Sequence, residues 1–197
     1  MILSDREVRA AIRGGVIGVT PCPPDSDKRW ASTTLDLTLA DEIRPWLPQG
    51  GAGADVIIDP SLPEFNSNQL ILERTQPQSC DGEGYVIEPK TLVLGWTTEK
   101  IKLPNKSKIG ARVEGKSSLA RIGIGIHVTA PTIHPGFGEK DGDPNFAGSA
   151  IRLEIWNIGP LKIRLKKGMP ICQIIFEEVH GIPEGRYSGQ FAVQGPS

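Results

Sequence analysis

The stretch Val113 to Arg121 reads V-E-G-K-S-S-L-A-R and holds the residue types that grip a phosphate. A glycine, a lysine and two adjacent hydroxyls precede the helix formers Leu119 and Ala120. At a helix N-terminus the free amides and the dipole favour an anion, and Lys116 adds a point charge. The same residues also suit an ordinary helix cap with a solvated lysine. Glu154 is the second chemical candidate. It lies within Ile151-Arg152-Leu153-Glu154-Ile155-Trp156, among side chains that belong in a core. Burial disfavours the charged form of a carboxylate, which suits a group that passes protons near neutral pH. Arg121 is a candidate partner to hold it. Two structural readings stand beside this one: a Glu–Arg pair, or plain outward alternation with Arg152 on one strand face.

His127 falls in the apolar run Ile122 to Ala130 and reads as a core residue, whereas His134 sits in the turn Ile133-His134-Pro135-Gly136. With His180 and the cysteines Cys22, Cys80 and Cys172, these show no zinc-like spacing. There is no H-x-E…P-C-x-x-C pattern, no Walker loop and no G-x-G-x-x-G. The formal net charge is −1, from 22 basic and 23 acidic residues. No global field therefore argues for nucleic acid or a membrane surface, and any anion binding must be local. The widely spaced cysteines are expected to be free thiols in a reducing, cytoplasmic compartment, with Cys172 in the core. The start Met1-Ile2-Leu3-Ser4-Asp5 lacks the pattern of a signal peptide, and no apolar run approaches the ~20 residues of a spanning helix.

These groups need a frame. The 197 residues suggest a single domain. The 23 glycines and 17 prolines, without a period, fit many short strands and tight turns. One helix is well marked: Ser4-Asp5-Arg6-Glu7 is a capping box, Val8, Ala11 and Ile12 form the stripe, and Gly14-Gly15 is the stop. Strands are expected at Thr34–Leu39, Leu92–Leu94, Ile109–Val113, Ile122–Thr129, Ala150–Trp156, Leu161–Leu165 and Ile171–Phe176. Between Pro45 and Gly84 the signal is weak, with loops expected at Gln49–Ala54 and Gln76–Gly84. The residues after His180 are small and polar; such a tail is most often frayed, and a functional one would have to gain order by closing over a ligand. The pattern predicts a mainly β fold, a barrel or jelly roll with few short helices.

Taken in order, the motifs resemble the dCTP deaminases, the zinc-independent branch of the dUTPase-like superfamily. The opening Met1 to Val8 is similar to that family's start, and Ala31-Ser32-Thr33-Thr34-Leu35-Asp36-Leu37 to its first signature. Leu103-Pro104 and Val113 to Gly123 match most strongly. His127 to Ala130, Pro135-Gly136-Phe137, Leu153 to Asn157, Lys167 to Gln173 and Tyr187-Ser188-Gly189-Gln190 follow in the family's order. The resemblance implies a distorted jelly roll over residues 1–180, a tail at 181–197 that closes over the site, and a homotrimer with active sites between subunits. It implies a deoxycytidine or deoxyuridine triphosphate ligand, with magnesium on the phosphates and no zinc. It further implies that Lys116, Ser117 and Ser118 face the triphosphate. Glu154 would activate water at C4 of cytosine, oriented by Arg121 and Ser117. Ala130 would read the base through its backbone, His134 would stand at the sugar, and Tyr187 and Gln190 would close over sugar and phosphates.

Two departures bear on function. The family has Asp where this chain has His134, and 138–147 is longer than the turn usual there. Asp141 or Asp143 could replace the missing carboxylate, or the segment is a solvated surface loop. Three activities follow as expectations: deamination of dCTP to dUTP and ammonia, a pyrophosphatase or bifunctional enzyme releasing dUMP, and a non-catalytic nucleotide-binding relative.

Overall fold

Ser4 opens the first helix as its sequence requires. In the computed structural model, which describes residues 1–48, 57–126 and 130–181, the Glu7 amide donates to Ser4 Oγ at 3.4 Å and Ser4 N donates to Glu7 Oε2 at 2.7 Å. Helix α1 then runs Asp5–Arg13, capped by Gly14, with Val8 buried. The remaining elements, in chain order, are β1 (Gly18–Thr20), β2 (Leu35–Thr38), β3 (Glu42–Pro45), α2 (Ser67–Arg74), β4 (Gln78–Ser79), β5 (Tyr85–Ile87) and β6 (Thr91–Lys102). A 3-10 turn follows at Asn105–Ser107, then β7 (Ile109–Gly115), α3 (Ser117–Ala120), β8 (Ile124–Ile126), β9 (Thr132–Ile133), β10 (Ser149–Asn157), β11 (Ile163–Leu165) and β12 (Pro170–Glu178).

Among the described residues the strands form three sheets. The largest has the order β4-β3-β6-β10-β8, with β1 also on β6; β2-β12-β7-β9 make the second, and β11-β5 a small third. Every pairing is antiparallel. The mainly β fold with few short helices is as expected, but the described strands divide into three sheets and do not close into one barrel. Leu35, Leu37, Ile43, Ile101, Leu103, Ile124, Leu153, Ile155 and Phe176 are fully buried, and one continuous core joins the two larger sheets. Cys172 lies in it, with a thiol that burial pushes far up, as a structural core thiol.

Strand β10 shows how alternation positions chemistry. Leu153, Ile155 and Asn157 are buried, while Arg152, Glu154 and Trp156 are half-buried on the other face. Opposite stands β6, with Glu154 facing Leu94 and Arg152 facing Trp96. The register shifts between Ala150 and Arg152, where Ile151 N donates to Thr97 Oγ1 at 2.9 Å.

Three expectations need correction. A helix, α2, occupies part of the stretch where the signal was weak. The loop expected over Gln76–Gly84 contains the short strand β4. The apolar run after Arg121 becomes strand only at Ile124, because residues 121–123 form the turn that ends α3. His127, Val128 and Thr129, the loop Gln49–Ala54, Tyr187 and Gln190 lie outside the described residues. At the close of that turn Gly123 has φ +93°, and a Cβ there would stand 2.3 Å from Gly159 N. Gly123→Ala is expected to destabilise the fold by about 2 kcal/mol or more, read as a lower midpoint in denaturant unfolding.

Candidate active site

Glu154 stands in a cleft of ≈ 370 Å³ between β6, β10, α2 and the 130–137 segment. Leu92, Leu94, Ile133, Phe137 and Ile151 give it apolar walls, with Trp46 and Ile71 from the β3–α2 side. Its polar groups converge: Ser67, Thr132, His134, Arg152 and Glu154 all line it, as does exposed Ala130. Such a mixture, apolar sides with a few placed polar groups, suits a flat heterocycle with polar edges.

Each wall has a local cause. The 130–137 segment is pinned where Gly136 N donates to Leu103 O at 2.6 Å and Val113 N donates to Pro131 O at 2.9 Å. The following segment is held by its own contacts. Glu139 Oε2 accepts from Asn105 N at 2.9 Å, Lys102 Nζ donates to Pro144 O at 2.8 Å, and Lys140 lies over the Phe146 ring. Asp143 accepts from Asn145 N at 3.1 Å. Neither Asp141 nor Asp143 lines the cleft.

Arg152 is a component that the sequence reading named only as a neighbour of Glu154 on one strand face. Its guanidinium lies over the Trp96 ring, 4.7 Å from the centroid, and Nη1 donates to Asn68 Oδ1 at 3.1 Å. Trp96 Nε1 in turn donates to Glu42 Oε1 at 3.4 Å, which also takes Arg44 Nε at 2.6 Å. Burial holds the Arg152 pKa below its usual value and Arg44 pushes the same way, while Glu154 and Glu42 oppose this. The only sequence signal was position: a long cation two residues before Glu154 on the same strand face. For α2 the missed signal was Asn66, whose Oδ1 accepts from the Asn68 and Gln69 amides at 3.0 and 3.1 Å. No apolar stripe accompanies that cap.

The phosphate-type residues lie elsewhere. Lys116, not a serine, takes the N-cap position of α3, and its side chain makes no cap hydrogen bond. Its Nζ pairs instead with the Asp36 carboxylate on β2. Ser117, Ser118 and Arg121 are exposed on α3 and the turn after it. None of them lines the cleft of Glu154. One chain therefore presents two separate chemical surfaces, a carboxylate cleft and a cationic, hydroxyl-bearing turn. No group of three or more His, Cys, Asp or Glu side chains is clustered to hold a metal ion among the described residues.

Comparison with known proteins addresses the whole chain. Residues 2–179 match the family model described as dCTP deaminase-like. A Methanosphaera stadtmanae protein named "dCTP deaminase, dUMP-forming" is 32% identical over 202 residues, covering 98% of this chain and 91% of that protein. A Rhodospirillum rubrum protein named "dCTP deaminase" is 31% identical, covering 90% of this chain and 82% of its own. The crystal structure of 2'-deoxycytidine 5'-triphosphate deaminase from Agrobacterium tumefaciens superposes with a TM-score of 0.63 over 91% of this chain and 48% of that one. At 20% identity that likeness speaks to the fold alone. With the family match running from Ile2 to Val179 and two relatives above 30% identity, this chain belongs to the dCTP deaminase-like family.

Proposed function

We propose that the protein hydrolyses dCTP to dUTP and ammonia without zinc. The observation that carries this reading is Glu154, a half-buried carboxylate in an apolar-walled cleft bordered by Ala130. Water adds its oxygen to C4 of the cytosine, and Glu154 takes the proton released. Glu154 delivers that proton to ring N3, then takes the proton of the new C4 hydroxyl and passes it to the amino group, so that the C4 carbonyl forms, the C4–N bond breaks and ammonia leaves. One carboxylate performs both transfers. Lys116, Ser117 and Ser118 take the triphosphate, and Arg121 with Ser117 orients the water and the carboxylate. Their distance from the cleft within one chain supports a homotrimer in which neighbouring subunits complete each site. Tyr187 and Gln190 in the 181–197 tail close over sugar and phosphates. Magnesium would be held by those phosphates. Free thiols at Cys80 and Cys172, both buried, agree with a cytoplasmic setting.

A second reading is supported by the relatives named "dUMP-forming": cleavage of the triphosphate after deamination. His134 in place of the family's Asp weighs against it. Incubation with dCTP or dUTP plus magnesium, resolving ammonia, dUTP, dUMP and pyrophosphate, decides between them. Ammonia without pyrophosphate supports deamination alone, both together support the bifunctional enzyme, and neither overturns both readings.

The cradle has its own test. Lys116→Ala is expected to raise the KM for dCTP about ten- to a hundredfold, the loss of one charge-assisted contact, while kcat falls less. Steady-state kinetics beside binding of deoxycytidine checks it. Equal weakening of nucleoside and triphosphate would remove Lys116 from the phosphate end.

A further inference from the structure

Helix α2 stands beside the cleft without being part of the core. None of its residues is buried, and Leu72 is 57% exposed. Its C-terminal end is tied to the body: Leu47 N donates to Arg74 O at 2.8 Å, and Thr75, 4% exposed, bridges to Trp46. At its N-terminal end Asn68 Oδ1 accepts from Arg152. Arg152 is itself fixed over Trp96 and stands on the strand face that carries Glu154. One residue before Asn68, Ser67 lines the cleft with a buried Oγ that has no hydrogen-bond partner among the described residues. A buried hydroxyl left without a partner is costly unless a ligand supplies one.

We infer that α2 is the wall that sets ligand affinity in this cleft. Ser67 gives its hydroxyl to a polar edge of the bound nucleoside, and the Asn68–Arg152 bond holds the helix where it can do so. Arg152 is thus a positioning residue that acts through α2. Taking that nucleoside to be deoxycytidine rests on the reading above. The geometry also fixes what each substitution does. Ser67→Ala removes the hydroxyl and leaves the helix, whereas Ser67→Thr keeps it. Asn68→Leu removes the acceptor, and Asn68→Asp restores it with a charge that Arg152 accepts.

The test measures dCTP affinity by quenching of tryptophan fluorescence, since Trp46 lines the cleft, together with kcat, thermal midpoint and amide exchange of α2 without nucleotide. Ser67→Ala should weaken dCTP binding about five- to tenfold, with a thermal midpoint no lower than that of the wild type. Ser67→Thr should bind as wild type. Asn68→Leu should weaken binding to a similar degree and speed exchange in α2, and Asn68→Asp should reverse both. Unchanged affinity in Ser67→Ala, or identical behaviour of the Leu and Asp variants at 68, overturns the inference. Failure of the wild-type protein to bind dCTP would sink the proposed function instead. The exchange comparison, made without nucleotide, would still decide the latch.

Discussion

Glu154→Gln is expected to lower kcat for ammonia release from dCTP by about 10²–10⁴, the usual worth of a positioned acid–base group, while dCTP still binds. The substitution keeps shape and hydrogen-bonding capacity but cannot carry a proton between water and base. Its neighbours make the test clean. Leu153 and Ile155, on either side in β10, are fully buried and hold the strand whatever stands at 154. The cleft's apolar walls come from other residues. Calorimetric titration of the variant with dCTP, beside a continuous ammonia assay of both proteins, separates the outcomes. Full turnover would remove Glu154 from the mechanism, and lost binding would make it a ligand contact before a proton carrier.

The largest stability effect is expected at Arg29→Met. Glu99 lies on β6 with 1% exposure, and Arg29 Nη1 donates to its Oε1 at 2.6 Å. The other oxygen accepts Thr38 N at 2.8 Å, and Thr38 Oγ1 completes the set. Asp27 orients the guanidinium through its second carboxylate contact at 3.2 Å. Deleting the cation strands a buried negative charge, which typically costs about 3–5 kcal/mol. In a chain of this size that corresponds to a midpoint on the order of 10 °C lower, read by urea unfolding and calorimetry. Arg29→Met combined with Glu99→Gln should recover much of the loss, since no charge is then left behind. A single-variant loss below about 1 kcal/mol would place the pair among surface ion pairs of little consequence.

How much of this was legible varies by element. Helix α1 was, because its capping box and stripe are local signals that no distant partner needs to supply. Strand β10 was, because strict alternation needs only a buried face. Strand β6 was seen only at Leu92–Leu94. Its continuation through Gly95, two threonines and Glu99 looks polar until Arg29 and Thr38 arrive from distant parts of the chain. Helix α2 lacked an apolar stripe because none of its residues is fully buried. For the site, Glu154 was singled out on its neighbours alone, but the pairing of Lys116 with Asp36 was not foreseen. Their separation of 80 residues leaves no trace in spacing. The family resemblance placed both groups in one site. The geometry of one chain holds them apart, and only a neighbouring copy can reunite them under the proposed reading.

The exposed seating of α2 has a consequence for how such proteins diversify. Substitutions in β10 disturb a packed interior, so variants there are removed by instability before any new activity can be tried. No residue of 67–74 is fully buried, so many substitutions there carry little thermodynamic penalty, yet two of these residues, Ser67 and Ile71, border the cleft. Selection can therefore rewrite what the cleft accepts by rewriting a helix that lies outside the core.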